Sequence, residues 1–160
     1  ALSKEKFKKM DIIPIIQSVV DDYNNIYQVK RGINISCIND GNKTYIIKGI
    51  ENRIEQIVAN LLDNAISFSE DNENIQVTIS KNFNKQVVVN ILDEGQGFKE
   101  KDTTKIFKRF YSNRPDKFGQ HSGLGLNIVK NLIELHKASI TASNRSDKKG
   151  ANLEIIFPKI

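Results

Sequence analysis

The sequence predicts an α+β domain in which a layer of helices covers one face of a mixed sheet. Three observations predict it. Apolar residues recur at three- and four-residue steps in three separated stretches, near 11–29, 51–68 and 125–137. Strand-like runs come in pairs between these stretches. The resulting order is helix, two strands, helix, two strands, long loop, helix, two strands. It has no regular β-α-β alternation, which disfavours a doubly wound parallel sheet.

Each element has its own signal. Asp11 precedes the first apolar-periodic run and is a candidate N-cap, with Pro14 in the first turn. Ile33, Ile35 and Cys37 alternate with polar residues and predict a strand. Asn39-Asp40-Gly41-Asn42 is a turn signal, and Thr44 to Lys48 predicts a second strand, so the two are expected to form a hairpin. Ile54, Ile57, Val58, Leu61, Leu62 and Ala65 mark the second helix. Ile75 to Lys81 and Gln86 to Leu92 predict a second hairpin. The stretch from Lys99 to Ser122 is polar and basic, with a short helical piece near Thr104 to Tyr111. The third helix follows, then strands at Ser139 to Ser143 and Asn152 to Phe157 around a turn at Lys148-Lys149-Gly150.

Composition sets the outer limits. The 160 residues are 39% hydrophobic and 27% charged, a globular balance for one domain. Residues 1–10 read as a linker and 11–160 as the domain. No signal-peptide pattern and no apolar run of membrane-spanning length is present, so a soluble domain is expected. The single Cys37 predicts a buried structural thiol and suits a reducing compartment. The net charge of +5 admits a nucleic-acid partner, a solvated lysine surface or a phosphate-rich small ligand. Lys99, Lys101, Lys105, Lys108, Arg109, Arg114 and Lys117 crowd between two glycine motifs, and no basic helix is interleaved with aromatics. That distribution favours a local anionic ligand over nucleic acid.

Four segments carry possible chemistry. At about 100° per residue, Arg53, Asn60, Asn64 and Ser67 share a polar strip beside the apolar stripe of the second helix. Its two asparagines either satisfy nearby backbone groups or offer an amide oxygen to Mg²⁺, a hard ion that takes oxygen ligands. Asp93-x-Gly95-x-Gly97 is either a capped tight turn or a carboxylate beside glycines that admit a flat ligand. Ser122-Gly123-Leu124-Gly125-Leu126 runs into a helix, where free N–H groups bind phosphate; it lacks the Gly-Lys-Ser/Thr ending of a Walker A loop. Ile106 to Tyr111 places aromatics among cations, as a lid or as a small apolar cluster.

Taken in chain order, the four segments resemble the catalytic domain of sensor histidine kinases, within the superfamily that also holds gyrase B, Hsp90 and MutL. Asn60 to Ala65 is similar to the family's N box and Asp93 to Phe98 to its G1 box. Phe107 to Tyr111 is similar to the F box and Ser122 to Leu126 to the G2 box. The likeness runs from Asp11 to Pro158. It implies a two-layer Bergerat-type α/β sandwich, a mostly antiparallel mixed sheet under three helices.

The resemblance also implies roles. Asn64 would ligate Mg²⁺, with Asn60 and Ser67 beside the phosphates of ATP. Asp93 would bond the adenine amine, with Gly95, Gly97 and Phe98 forming the pocket. Ser122, Gly123, Leu124, Gly125 and Leu126 would meet the phosphates. Lys99 to His121 would be a mobile ATP lid, with Arg109 near the γ-phosphate. The activity implied is transfer of that phosphate to a histidine on an upstream dimerising hairpin, and thence to a response regulator. Neither His121 nor His136 has the sequence context of the acceptor. A monomeric isolated domain is implied, in a homodimeric protein anchored in the bacterial inner membrane.

The sequence departs from the family pattern in places. Ser67 and Phe68 stand where a lysine and tyrosine are usual, Ser112 where an arginine is usual, and Gly150-Ala151 where Gly-Thr is usual. Ile66 to Ser69 and Tyr111 to Gly119 are similar to the ChvG/BvrS type of alphaproteobacterial envelope-sensing kinase. A degenerate nucleotide-binding module without transfer activity is the alternative that Ser67 and Ser112 keep open. A serine kinase of the anti-sigma-factor type is disfavoured by the F box.

Overall fold

The computed structural model describes residues 6–42, 44–99, 104–107 and 124–160. In chain order the elements are β1 (Lys8–Asp11), α1 (Ile12–Arg31), β2 (Asn34–Asn39), β3 (Ile46–Gly49), α2 (Glu51–Ser67), β4 (Asn74–Lys81) and β5 (Val87–Leu92). A 3-10 turn (Thr104–Phe107), α3 (Leu124–Leu135), β6 (Ser139–Asn144) and β7 (Ala151–Ile156) follow. The main sheet has the order β2-β4-β5-β7-β6. Only the β2–β4 pair is parallel; β4–β5, β5–β7 and β7–β6 are antiparallel.

Strand alternation explains why helices cover one face. Val77, Ile91, Leu153 and Ala142 form one inward row across the sheet, and Ile79, Val89, Ile155 and Ile140 the next. All eight are buried, and they join one core with Ile16 and Val20 of α1, Leu61 and Leu62 of α2, and Val129 and Ile133 of α3. The opposite face is mixed, with Thr78, Asn90, Asn152, Glu154 and Thr141 beside Val88, Leu92 and Ile156. There the Asn90 amide donates to Asn152 (2.9 Å) and to Glu154 (3.1 Å). A one-residue slip would exchange the two faces, so burial fixes the register.

The expected hairpin between Ile33–Cys37 and Thr44–Lys48 does not form. β2 pairs with β4, while β3 pairs with β1 in a separate two-stranded sheet. Asp40 shows why. Its N–H donates to the Ile79 carbonyl (3.1 Å) and its carboxylate accepts from the Lys81 N–H (3.0 Å), so the chain stays with β4 beyond the end of β2. The same carboxylate takes the hydroxyl of buried Tyr45. Burial acts to raise the Asp40 pKa, but the bonds from Tyr45, Lys81 and Asn42 outweigh it and hold the carboxyl well below its ordinary range. The turn-like Asn39-Asp40-Gly41-Asn42 is thus a junction between sheets. Lys8, Lys9 and Met10, placed by sequence in the linker, belong to β1.

Cys37 is half-buried rather than buried. Burial, and then the charge of Asp21, push its thiol up to about 11, so it is not a thiolate at neutral pH. No helix among the described residues is long and apolar enough to cross a membrane.

Both ends of α2 are tied to other elements. At its start, Ile50 offers no side-chain cap, and the Ile50 N–H donates to His136 Nε2 (3.1 Å). The other ring nitrogen of His136 meets the Leu132 carbonyl at 2.8 Å. That pattern specifies a neutral imidazole with the proton on Nδ1. At the far end, the Ser69 hydroxyl donates to the Ala65 carbonyl (2.7 Å). The Arg31 guanidinium donates to the carbonyls of Ile66 (2.9 Å) and Ser69 (2.6 Å) and to Asp71 (2.7 Å). The Ser69 N–H itself goes to the Ile66 carbonyl (3.2 Å), so Ile66 already has a backbone partner, and Ser69 lies beyond the helix; the Ala65 carbonyl is the one of the kind that a helix end leaves over. On the flank, burial and then the charge of Asp63 on α2 push the phenol pKa of Tyr23 on α1 upward.

Replacing Arg31 with alanine is expected to cost about 1–3 kcal/mol, the range for losing hydrogen bonds that a charged donor makes to part-buried carbonyls. Urea unfolding measures it. An unchanged midpoint would mean that water replaces the guanidinium without loss.

Candidate nucleotide site

The loop after β5 is built around Asp93, which is 3% exposed. Its N–H donates to the Ala151 carbonyl (3.1 Å), continuing the β5–β7 ladder. The reciprocal bond does not go to the Asp93 backbone. The Ala151 N–H donates to Asp93 Oδ1 (3.1 Å), which also accepts from the Gly95 N–H (2.9 Å). The displaced Asp93 carbonyl accepts from Arg145 (3.2 Å). One carboxylate oxygen thus ends the strand and starts the turn.

Two glycines are required by this geometry. At Gly150 a Cβ would lie 1.9 Å from the Asp93 carbonyl oxygen. At Gly97 the backbone has φ +76°, and a Cβ would lie 2.4 Å from Asn144 Oδ1. Asn144 occupies that space because its side-chain amide pairs with the backbone of Phe98. Its Oδ1 accepts from the Phe98 N–H (2.6 Å) and its Nδ2 donates to the Phe98 carbonyl (3.1 Å). Gly95, Gly97 and Phe98 are buried, with Gln96 exposed between the glycines. Glu94 fastens the outer side, accepting from the Asn74 N–H (2.7 Å) and from Lys148 (3.3 Å).

On α2, Asn64 is 5% exposed, while Asn60 and Ser67 are half-buried. Asn64 therefore sits on the inner side of the polar strip read from sequence. Gly125 and Leu126 open α3. Leu126 is buried and Gly125 exposed, and a Cβ on Gly125 would meet nothing within 4 Å among the described residues. Packing among those residues does not require glycine there. Leu124 begins the helix. Ser122, Gly123 and Arg109 lie outside the described residues. Of the lid segment, Lys99 and the 3-10 turn are described. In that turn Ile106 and Phe107 are buried in the core, the Phe107 carbonyl accepts from Asn127 (3.3 Å), and Lys130 lies 5.8 Å over the Phe107 ring. The first two residues of the aromatic segment are thus core side chains.

Sequence reasoning did not single out Asn144 or Arg145. Both follow the predicted β6 strand, where Asn-Arg reads as an ordinary turn. Their signal was the nearby Gly150, whose φ of +136° accompanies the close approach to Asp93. His136 is 3% exposed with both ring nitrogens engaged, so it is not placed to accept a phosphoryl group.

The donor set also bears on a metal. Among the described residues no group of three or more His, Cys, Asp or Glu gathers as a metal cluster. A buried amide such as Asn64 fits an ion that takes one protein oxygen and fills its other positions with phosphate and water, as Mg²⁺ does.

Comparison with known proteins agrees with this architecture. A nucleotide-free catalytic domain of the histidine kinase ThkA superposes with a TM-score of 0.81 at 25% identity, covering 96% of this chain and 98% of that one. Full-length ShkA in complex with AMPPNP shares the fold, with a TM-score of 0.79 at 24% identity over 99% of this chain and 32% of that one. The fold is that of a histidine kinase catalytic domain. The family model for histidine kinase-, DNA gyrase B-, and HSP90-like ATPases matches residues 49–160, and the chain belongs to that family. Among curated relatives it is similar to the sensor protein ChvG of Agrobacterium fabrum, 36% identical over 93% of this chain and 26% of the relative. It is also similar to ChvG of Rhizobium meliloti, 33% identical over 93% and 27%. The chain spans about a quarter of the length of these relatives.

Two outcomes test the loop. Asn144→Ala leaves both Phe98 backbone groups without their amide partner and is expected to destabilise the domain by about 1–3 kcal/mol; calorimetric melting checks it. The second concerns pH. The Asn74 N–H lowers the Glu94 pKa, burial opposes it, and Lys148 adds to the lowering. A carboxyl lowered on folding contributes stability that is complete above the unfolded value, ~4.3, and is lost as pH falls through the folded one. The stability gap between the natural chain and Glu94→Gln should therefore narrow as the pH is lowered from 7 to about 3. A constant gap would exclude the ionised carboxylate as its source.

Proposed function

We propose that this chain binds Mg-ATP and, as the catalytic part of a sensor histidine kinase, donates the γ-phosphate to a histidine on a separate dimerising hairpin. The observation that carries the reading is the Asp93–Phe98 loop: a buried carboxylate held at a sheet end beside two buried glycines, in a chain of this ATPase family. Asp93 would accept from the adenine amine, and Gly95, Gly97 and Phe98 would wall the ring. Glycine lets the backbone approach a flat ligand closely.

Asn64 would hold Mg²⁺, which supplies charge neutralisation at the phosphates when bound. Asn60 and Ser67 would lie beside those phosphates. Ser122, Gly123, Leu124, Gly125 and Leu126 would present N–H groups at the positive end of α3; packing among the described residues gives no other reason for glycine at position 125. Arg109 would face the γ-phosphate. Little covalent work falls to these residues, because phosphoryl transfer is catalysed mainly by positioning and charge. The acceptor histidine and its hairpin would belong to a homodimeric protein anchored in the inner membrane, with this domain on the cytoplasmic side. A response regulator would take the phosphoryl group next.

Calorimetric titration of Mg-ATP tests the reading. Binding in roughly the micromolar range is expected, with at least a tenfold loss in Asp93→Asn. Radiolabel from ATP should not accumulate on this chain alone. No binding by a demonstrably folded sample, or equal binding by the variant, would remove the proposed adenine contact. Binding without transfer to any supplied acceptor hairpin would favour a degenerate nucleotide-binding module.

A further inference from the structure

A second concavity shares no residue with the glycine loop. It lies where β1, β3, the end of α3 and the residues after β7 meet, and has a volume of about 500 Å³. Phe7, Leu135 and Ile160 give it an apolar lining, and they are 39%, 44% and 52% exposed. Lys9, Lys48, Lys137 and Lys159 line it too, and no aspartate or glutamate does.

Two features of these lysines work against the fold. Lys9 and Lys48 stand directly opposite each other across the β1–β3 pair, where like charges destabilise a ladder. Lys137 has φ +56°, just past the end of α3. Glycine is the unstrained residue at such a helix end, although a cation near the terminal carbonyls offsets part of the strain. None of the four lysines forms an ion pair with a described residue. Lys9 also borders an adjoining depression that holds Glu51 and Glu55, so Lys48, Lys137 and Lys159 are the cations that belong to the groove alone.

We propose that this groove docks an acidic amphipathic helix of a partner protein. Its apolar side chains fill the concavity, and its carboxylates meet Lys48, Lys137 and Lys159. The shape selects a protein partner over a membrane surface. A bilayer is best engaged by apolar groups that project, whereas here they line a hollow of side-chain dimensions. The apolar lining likewise offers nothing to a phosphodiester backbone. Helix-in-groove recognition needs this combination of apolar anchors and flanking charge. The proposal does not depend on nucleotide binding.

The test uses the whole 160-residue chain and a short fluorescent helical peptide of glutamate and alanine, with leucines at i and i+4. Saturable binding that weakens with salt is expected, with amide shifts confined to Phe7, Lys48, Lys137, Lys159 and Ile160. Lys137→Glu combined with Lys159→Glu should weaken it roughly tenfold or more. Lys137→Gly should also weaken it while the melting temperature holds or rises, because the strain is relieved. The proposal is overturned by an absence of saturable binding, by equal binding of a leucine-free acidic peptide, or by lysine variants that bind as well as the natural chain. Phosphatidylglycerol vesicles that bind in place of the peptide would make the groove a membrane contact and overturn it as well.

Discussion

The bond between Asp93 Oδ1 and the Ala151 N–H is the constraint on which the rest of the site depends. In an ordinary antiparallel pair, both reciprocal bonds are backbone to backbone. Here the side chain takes one of them, so the chain leaves the sheet at Asp93 while staying bonded to β7. The freed carbonyl goes to Arg145. Gly150 must lack a Cβ for the two segments to come so close. The usual Gly-Thr of the family is Gly-Ala here, and the bond uses only the backbone of Ala151.

The sheet order makes that bond available. β7 lies between β5 and β6, so the turn after β6 returns beside the end of β5. Asn144, at the end of β6, then reaches the Phe98 backbone, and Arg145 reaches Asp93. Two residues near the chain's end fix a loop some fifty positions earlier. α2 is held comparably at both ends, by His136 from the end of α3 and by Arg31 from the end of α1. The polar strip of Asn60, Asn64 and Ser67 is therefore carried on a helix with little freedom to shift along its axis.

Much of this was legible in the sequence because it is local. The α2 stripe from Ile54 to Ala65, the Asp11 cap and the β4–β5 hairpin each follow from residues a few positions apart. The glycine loop was legible because Asp93, Gly95 and Gly97 form a compact pattern at the end of an apolar strand. The β2–β3 hairpin was misread because Asn39 to Asn42 has turn composition, while the decisive bonds run from Asp40 to Tyr45 and to the distant Lys81. The role of Asn144 was hidden for the same reason. Its partner is Phe98, and no local periodicity encodes a side-chain bond across that separation. Lys137, adopting a glycine-like backbone angle, was invisible without the fold.

Adenine binding at the loop pinned by Asp93 and Asn144 can be followed by amide chemical shifts during a titration with Mg-ADP. If adenine sits there, the largest changes fall at Gly95, Gly97, Phe98 and Ala151, together with the side-chain amides of Asn60 and Asn64. Changes concentrated elsewhere on the domain, with these signals unmoved, would contradict binding there.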